Sequence, residues 1–315
     1  MKKRYVYIDI IKAFAIFLVV FGHVIQFWLW PDSWWNEKMF LLIYSFHMPL
    51  FMMLSGLVVG MCRKPLTCRK FILRRFRQLM IPYLSWAFID CMRKSNLEIV
   101  NIVVYPNNFL WFLWALFFIS IFTEACLHIN EKKRRILGYV FLLFLLFIVD
   151  KLLCGKFALD KIKYLSVFYI FGIEFCQQEY YKYIIKKSIS CFPLWLLMAF
   201  YYRWGGNYDS SLINYVYAVT MAFAGCLSFI SLLFLLKDVF NMKYIKQIGQ
   251  STLGIYAVHY LFIDALVVTV KLNGTIIIAV ISAFCMVLLS LFTIKLIKKN
   301  KVLSFLLLGI KNEKR

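Results

Sequence analysis

The sequence predicts an all-α polytopic membrane protein with about ten transmembrane helices and both termini in the cytoplasm. Of its 315 residues, 63% are hydrophobic, and the mean hydropathy is +0.76. A soluble domain needs more polar surface than this composition supplies. Because the apolar runs recur along the whole length, we also exclude a soluble domain held by one anchor. We expect a single transmembrane domain over residues 1–315, with a helical bundle at about 5–297 and a basic cytoplasmic tail at about 298–315.

Ten apolar runs are candidates for membrane spans, because a helix of about 20 residues crosses the hydrocarbon core. The candidate spans cover about 5–30, 39–61, 76–92, 109–127, 136–153, 164–178, 188–204, 212–236, 252–270 and 275–297. The sixth is short, so a tilted or re-entrant segment is an alternative there. We find no internal repeat, which disfavours the inverted-repeat transporter folds.

Basic residues set the expected orientation. With the N-terminus inside, 27 of the 37 Lys and Arg residues fall in cytoplasmic segments, nine fall in outer segments, and Lys12 lies within the first span. This bias follows the positive-inside rule and explains the formal net charge of +22 without a nucleic-acid partner. The bulky residues after the first span argue against a cleaved signal peptide. We therefore expect a multi-pass protein of the cytoplasmic (inner) membrane.

The first apolar helix, Asp9–His23, contains polar side chains that a plain membrane anchor does not need. Lys12 and His23 are eleven residues apart, so they lie within about 20° of one helical face and about 16 Å apart along the axis. That spacing suits a long anionic molecule with its reactive end at the histidine. A structural interpretation stays open, in which Asp9 pairs with Lys12 at the helix end and His23 bonds a neighbouring helix.

The second span contains Ser45-Phe-His-Met-Pro-Leu-Phe51 and continues to Ser55-Gly56. Pro49 removes a helical hydrogen bond, so we expect a kink there. His47 lies two residues earlier, where loosened backbone can hold a polar side chain inwards. The small pair Ser55-Gly56 permits close approach of another helix. On this pattern alone, both an architectural and a functional interpretation of the kink and its histidine stay open.

The first large inner loop, Cys62–Arg77, holds seven basic residues, which is more than orientation requires. One interpretation is an amphipathic segment lying on anionic lipid. The other is that Arg74 and Arg77, at i,i+3, share a helical face and clamp phosphate groups, which guanidinium forks bind bidentately. The two interpretations are compatible if Arg75 points towards the lipid headgroups.

The remaining polar and aromatic groups are less informative. Trp111 belongs to the run Phe109–Trp114, whose simplest interpretation is an interfacial aromatic belt. His259 lies in the ninth span. Three acidic residues in or near apolar runs need partners or water: Glu124, Glu174 and Asp264. The nine cysteines show neither Cys-x-x-Cys spacing nor a cluster with histidine, so we predict no metal site and no disulfide framework.

Several stretches together, in this order, resemble the integral-membrane acyltransferase 3 family, especially its fucose 4-O-acetylase-like branch. The matching residues span most of the chain: Tyr7-Ile-Asp-Ile-Ile-Lys12 with His23 (the Arg/Lys-x10-His pattern), Ser45-Phe-His-Met-Pro-Leu-Phe51 with Ser55-Gly56, Arg74-Arg-Phe-Arg77 with Pro82-Tyr83 (the Arg-x-x-Arg loop), Trp111-Phe-Leu113, and Leu253-Gly-Ile-Tyr-Ala-Val-His259. Larger relatives have an extra extracytoplasmic domain, whereas this chain ends soon after its tenth span. We therefore expect the membrane domain, or a partner, to recognise the acceptor.

The resemblance implies a ten-helix membrane enzyme that moves an acyl group, usually acetyl, from cytoplasmic acyl-CoA to a hydroxyl of a sugar, a cell-surface glycan or a lipid-linked precursor. It implies that His23 is catalytic, because an imidazole with an unperturbed pKa of about 6.5 suits the base that deprotonates a hydroxyl. The implied donor-binding residues are Lys12, Arg74 and Arg77. The matching motifs also contain four supporting residues: Asp9, His47, Trp111 and His259.

Direct transfer is preferred to a covalent acyl-enzyme, because no Ser or Cys stands out beside a base. We expect no tightly bound cofactor, with acetyl-CoA as donor substrate. Expected partners are the glycan or lipid-linked acceptor and membrane lipids, without nucleic acid, and a homo-oligomer is an open alternative. The rival class is a transporter or flippase, in which Asp9, His23, Glu124 and Glu174 relay protons or gate a polar substrate. A sensor or scaffold, with structural polar groups, is a third class, and acetyl-CoA binding separates the enzyme from both.

Overall fold

The computed structural model describes residues 5–62, 67–93, 99–106, 110–176, 181–202, 212–240, 242–269 and 275–310, and over these ranges the regular structure is entirely helical. In chain order the α-helices are α1 (Val6–Val24), α2 (Lys38–Tyr44), α3 (His47–Cys62), α4 (Cys68–Arg75), α5 (Ile81–Arg93), α6 (Ile99–Val104), α7 (Trp111–Leu127), α8 (Lys132–Leu153), α9 (Leu159–Phe175), α10 (Tyr181–Lys187), α11 (Phe192–Tyr201), α12 (Leu212–Leu235), α13 (Lys243–Gln250), α14 (Thr252–Thr269), α15 (Ile276–Ile297) and α16 (Lys301–Leu308). The predicted all-α fold class is confirmed.

Within the described residues, six helical segments are long and apolar enough to cross a membrane: Val6–Leu29, Lys38–Cys62, Lys132–Leu153, Tyr181–Tyr201, Leu212–Leu235 and Ile276–Ile297. A seventh forms if α13 and α14, which are bent by 81°, count as one span. The other three predicted spans coincide with α7 and α9, which have 17 residues each, and with the π-helical turn Phe76–Met80 followed by α5. Because a straight span needs about 20 residues, the multi-pass class is supported while the number ten stays a prediction.

The chain separates into two compact units. The first unit comprises residues 1–55 and 174–294, and the second comprises residues 56–173 and 295–315. Helix α1 is central to the first unit, where it contacts α2, α12, α13 and α14. Its apolar side chains are distributed around most of the helix, which is the pattern of a buried helix. Seven of them are at most 1% exposed: Ile10, Ile11, Ala15, Ile16, Val19, Val20 and Val24.

A close backbone approach joins α13 to the start of α1. A Cβ atom at Gly249 would lie 1.8 Å from the carbonyl oxygen of Asp9, so only glycine permits this contact. Beside it, the Nε2 atom of Gln250 donates to Oδ2 of Asp9 at 3.4 Å. The chain then bends by 81° between α13 and α14, and α14 also packs on α1. Gly249 and the bend therefore set how α14 lies against α1.

In the second unit, α3 and α9 also approach closely. A Cβ atom at Gly56 would lie 2.0 Å from the carbonyl oxygen of Tyr169. The prediction that Gly56 permits close helix approach is therefore confirmed, because any side chain there would separate the two backbones.

The segment predicted as a basic tail contains α16, which packs on α5 in the second unit. The side chain of Asn300 caps its start by accepting from two backbone N–H groups, and Gly309 ends it with a φ of 64°. The indole Nε1 of Trp86, on α5, donates to the carbonyl oxygen of Leu307 at 3.0 Å. Residues 311–315 of the predicted tail lie outside the described residues.

The second predicted span is interrupted at Ser45 and Phe46, between α2 and α3. Pro49 has no N–H, so the carbonyl of Ser45 loses its usual helical donor, and the helix is interrupted close to the position where the kink was expected. The Oγ atom of Ser45 donates to the carbonyl oxygen of Leu42 at 2.7 Å and accepts from Nε1 of Trp195 at 3.0 Å. These bonds stabilise the interruption by satisfying the polar groups around it.

A buried ion pair between α8 and α9 yields a stability prediction for the second unit. Nζ of Lys163 lies 2.6 Å from Oδ2 of Asp150, and the two side chains are only 8% and 11% exposed. Asp150→Ala should lower the free energy of unfolding by about 3–5 kcal/mol, because it removes the carboxylate that balances the charge of a buried ammonium group. The double variant Asp150→Leu/Lys163→Met should recover most of that loss. Thermal unfolding in detergent measures both, and equal destabilisation by the two variants would contradict the prediction.

Candidate active site

Two histidines that are distant in sequence meet in the first unit. His23 lies in the last turn of α1, and His259 lies within α14. The Nδ1 atom of His23 is 2.8 Å from the Nε2 atom of His259. The ring planes differ by 2°, and the ring centroids are 5.1 Å apart. Because the hydrogen bond joins two ring edges, the imidazoles lie side by side in one plane and not face to face.

Hydrogen-bond partners determine which nitrogen of each ring carries the proton. The Nδ1 atom of His259 lies 2.9 Å from the carbonyl oxygen of Ile255, one turn earlier in α14. A carbonyl oxygen only accepts, so Nδ1 of His259 donates and its Nε2 is left to accept. Nδ1 of His23 therefore donates to His259, and Nε2 of His23 keeps its lone pair. The chain of bonds from Ile255 to His23 thus orients a base.

His23 is the accessible member of this pair. His259 is 0% exposed, whereas His23 is half-buried. The rings of Phe27 and Tyr260 flank His23, with centroids 5.8 and 6.3 Å from its own. These two rings are 5.6 Å apart and nearly perpendicular, at 82°. A basic nitrogen on a half-buried imidazole flanked by two aromatic rings suits deprotonation of a hydroxyl that a substrate presents to it.

A π-helical turn, Ile25–Leu29, begins two residues after His23. Such turns are rare and occur frequently at functional sites. Within it, Oε1 of Gln26 accepts a 3.1 Å hydrogen bond from the Tyr44 hydroxyl. The Tyr44 ring packs so closely on α1 that a Cβ atom at Gly22 would lie 2.8 Å from it. The small Gly22 lets Tyr44 pack against α1, and Tyr44 fixes the position of the Gln26 amide. Gln26 follows His23 by three residues, which is about one helical turn.

His47 lies beside the same tyrosine. Its ring centroid is 4.4 Å from that of Tyr44, and the side chain is 2% exposed. Its Nδ1 atom donates to the carbonyl oxygen of Ile43 at 2.9 Å, near the break between α2 and α3. The hydrogen bond to Ile43 thus gives His47 a structural role. His47 also packs on Tyr44, the residue that contacts α1 at Gly22, next to His23.

The other predicted residues of α1 lie towards its start. The helix is continuous from Val6 to Val24, so Lys12 and His23 share one helix as the spacing requires, and both are half-buried. Asp9 accepts from Gln250 and makes the backbone contact with Gly249. These contacts give Asp9 a part in the packing of α13 on α1.

The predicted phosphate-binding arginines lie in the second unit, where α4 continues into α5 through a second π-helical turn, Phe76–Met80. Arg74 is exposed, whereas Arg77 lies in the π-helical turn and is half-buried. Among the described residues, the buried Nε atom of Arg77 has no hydrogen-bond partner. Desolvation lowers the pKa of Arg74, and the charges of Arg75 and Arg77 lower it further. This crowding of positive charge favours a bound anion.

Arg75 does not point away from the protein, so that part of the lipid-surface interpretation is wrong. Its Nη2 atom donates to the Tyr169 hydroxyl at 3.4 Å, and its guanidinium lies 5.4 Å from the ring centroid of Phe71. The physical reason is helical spacing. Phe71 is buried and lies four residues before Arg75, so the two share the face of α4 that packs inwards.

Trp111 and Glu124, both on α7 in the second unit, have structural partners. Nζ of Lys161 lies 4.9 Å from the ring centroid of Trp111, a cation–π contact. Glu124 lies 3.6 Å from Nε2 of His128, one turn further along α7. Of the predicted site residues, the structure thus brings His23 and His259 together in the first unit. Arg74, Arg77 and Trp111 lie in the second unit.

Sequence reasoning missed Gln26, Tyr44, Phe27 and Tyr260 around His23. Two of them had a signal in the sequence. Gln26 is an amide in an apolar run three residues after His23, and Tyr260 directly follows His259. Tyr44 had none, because its contact with α1 depends on the break between α2 and α3.

Comparison with known proteins gives a match over nearly the whole chain. A family model described as an acyltransferase domain (Acyl_transf_3) matches residues 5–295. Nodulation protein NolL of Sinorhizobium fredii is 32% identical over 141 residues, which are 41% of this chain and 38% of that protein. Nodulation protein NolL of Mesorhizobium japonicum is 29% identical over 143 residues, with the same two coverages. The matches thus span well under half of each relative's length, and no solved structure matches.

Proposed function

Because the chain belongs to the acyltransferase 3 family, we propose that it moves an acyl group, with acetyl as the first choice, from cytoplasmic acyl-CoA to a hydroxyl group. The acceptor is a sugar, a cell-surface glycan or a lipid-linked precursor. The observation that carries this proposal is the hydrogen-bond chain from Ile255 through His259 to His23. It leaves a basic nitrogen accessible between apolar walls, which is the group that hydroxyl acylation requires.

In the proposed reaction, Nε2 of His23 takes the proton of the acceptor hydroxyl while the hydroxyl oxygen attacks the thioester carbonyl carbon. The tetrahedral intermediate then collapses, the carbon–sulfur bond breaks, and an ester forms. The imidazolium of His23 returns its proton to the departing thiolate, which leaves as CoA. His259 stabilises the imidazolium by accepting its Nδ1–H throughout, as an orienting partner does in a catalytic triad. The acceptor itself is the nucleophile, so no acyl-enzyme is needed.

Cationic side chains are proposed to hold the phosphates of the donor. Lys12 lies on the same helix as His23, and ideal helical geometry puts the two residues on nearly the same face, about 16 Å apart along the axis. Arg74 and Arg77 are proposed phosphate ligands, and the buried Nε atom of Arg77 that lacks a partner within the described residues supports this assignment. Guanidinium groups bind phosphate through two parallel hydrogen bonds, which an ammonium group does not offer.

The double variant Arg74→Ala/Arg77→Ala should weaken acetyl-CoA binding while the fold survives. Loss of each charge-assisted contact should lower affinity about ten- to a hundredfold. Lysine substitutions should restore only part of the lost affinity, because an ammonium group keeps the charge but cannot bind phosphate through two parallel hydrogen bonds. Isothermal titration with purified protein measures the affinities. If the double alanine variant binds acetyl-CoA as tightly as the wild type, the two arginines do not bind the donor, and the interpretation of this segment as a lipid-surface helix is favoured.

We further propose ten spans in the cytoplasmic membrane, with both termini inside. The bias of Lys and Arg supports this topology. In a variant without native cysteines, a cysteine placed at Asn207, which lies outside the described residues, should react with an impermeant maleimide in intact cells. A cysteine at Lys299 should react only after the membrane is permeabilised. The reverse labelling pattern would overturn the topology.

The proposed reaction is tested with acetyl-CoA labelled in the acetyl group. Purified protein in nanodiscs is incubated with the labelled donor and with lipid-linked glycans extracted from the host membrane. The label should appear in the glycan fraction and be released by mild alkali, as an ester is. A protein that binds no acetyl-CoA would contradict the proposed donor and favour the transporter or scaffold classes.

A further inference from the structure

A cavity of about 320 Å³ opens in the first unit beside the start of α1. Its lining combines three aromatic rings with two basic side chains and one acidic side chain: Tyr5, Tyr7, Phe234, Lys182, Lys237 and Asp238. Three separate stretches of the chain therefore meet here, at the starts of α1 and α10 and the end of α12. The volume lies at the lower end of the range for small-molecule sites, so it fits one part of a large ligand.

The aromatic wall of the cavity is well packed. Tyr7 is 8% exposed, and its ring meets that of Phe234 edge-on, with centroids 5.4 Å apart. Tyr5 packs against Tyr7 at 6.2 Å and remains half-buried. A flat aromatic ligand can stack on such a surface, with each contact contributing to affinity.

Charged groups lie at the edge of this wall. Nζ of Lys237 is 5.0 Å from the ring centroid of Phe234 and 3.4 Å from Oδ2 of Asp238. Lys182, on α10, is exposed. Two ammonium groups favour phosphate, whereas a carboxylate favours a ligand that also donates hydrogen bonds. A nucleotide satisfies both, because its phosphate accepts while its ribose hydroxyl and amino groups donate. Inorganic phosphate gives Asp238 no favourable contact.

The cavity lies at the start of the helix that carries His23. Tyr5 directly precedes α1, and Lys12 and His23 fall within about 20° of one face of that helix. From Tyr5 to His23 the distance along the axis is about 27 Å. An extended donor with its nucleotide end at Tyr5 would therefore pass Lys12 on its way to the base.

We propose that this cavity binds the nucleotide end of the acyl-CoA donor, with Tyr5 stacking on the base, Lys182 and Lys237 contacting phosphate, and Asp238 accepting a hydrogen bond from the nucleoside. The inference rests on the proposed function and adds to it a site for the part of the donor furthest from the reacting carbon. All of its residues belong to the first unit, which also contains His23.

The experiment compares two double variants in nanodiscs. Lys182→Gln/Lys237→Gln removes both cavity lysines, and Lys186→Gln/Lys187→Gln removes two exposed lysines of α10 that do not line the cavity. The cavity variant should lose about ten- to a hundredfold in acetyl-CoA affinity, while the control stays near wild type. Adenosine 3′,5′-bisphosphate, the nucleotide end of CoA, should compete for the wild-type site much better than inorganic phosphate. S-acetyl-phosphopantetheine, which lacks the nucleotide, should be turned over equally by wild type and cavity variant.

Three outcomes would overturn the inference. The first is wild-type acetyl-CoA affinity in the cavity variant. The second is equal loss of activity towards S-acetyl-phosphopantetheine, which would show that the lysines do not act through the nucleotide. The third is unchanged CoA binding with weakened retention of phosphatidylglycerol, which would identify a lipid-headgroup site. A wild-type protein that binds no acetyl-CoA would instead contradict the proposed function itself.

Discussion

His23→Ala is expected to lower acyl transfer per folded molecule by about 10²–10⁴-fold, the usual contribution of a general base. Nε2 of His23 is the accessible end of the hydrogen-bond chain, so the substitution removes the atom that would take the hydroxyl proton. Insertion and acetyl-CoA binding should persist, because His23 is half-buried and alanine leaves the helix intact. Turnover normalised to folded protein, together with donor affinity, measures the effect.

His47→Ala is the matched control, since it removes another imidazole from the same unit. His47 is 2% exposed and bonded to the carbonyl of Ile43, so its loss should lower stability at least as much as turnover. A structural role for His23 would give the same pattern at both positions. Wild-type turnover by folded His23→Ala would therefore show that the catalytic assignment is wrong.

The helical fold could be predicted from composition, because a bilayer accepts few spanning structures other than apolar helices. The number of spans could not be confirmed in the same way. Helices α7 and α9 are shorter than the length of a straight span, and α13 and α14 are bent by 81°. Hydropathy measures the apolar character of a run, whereas bends and helix ends depend on contacts with other helices.

The candidate site was also predictable only in part, because it depends on contacts between helices that are distant in sequence. The spacing of Lys12 and His23 follows from helical geometry, since both lie on α1. The meeting of His23 with His259 follows from no local pattern. It depends on the close approach at Gly249 and on the bend that precedes α14. Sequence reasoning likewise misplaced Arg75, because its environment is set by Tyr169 on a distant helix.

His259 acts in this scheme as a positioning residue, because its contact is with His23 and not with substrate. His259→Leu should lower kcat by about 10²-fold or more, since partners that fix an imidazole tautomer contribute at least that much in comparable arrangements. Without the acceptor at Nε2 of His259, His23 is free to rotate and to place its proton on the nitrogen that faces the substrate. KM for acetyl-CoA should change little, because the donor contacts proposed here are elsewhere.

His259→Gln distinguishes positioning from packing. A glutamine can accept from His23 through Oε1 and donate to the carbonyl of Ile255 through Nε2, so it should recover much of the lost kcat. Leucine is a good helix former and fills an apolar site well, so a residue needed only for packing would tolerate leucine better than glutamine. Measurement of kcat, KM and thermal stability for both variants separates the two roles. Higher activity in His259→Leu than in His259→Gln would contradict the hydrogen-bond chain as the device that orients His23.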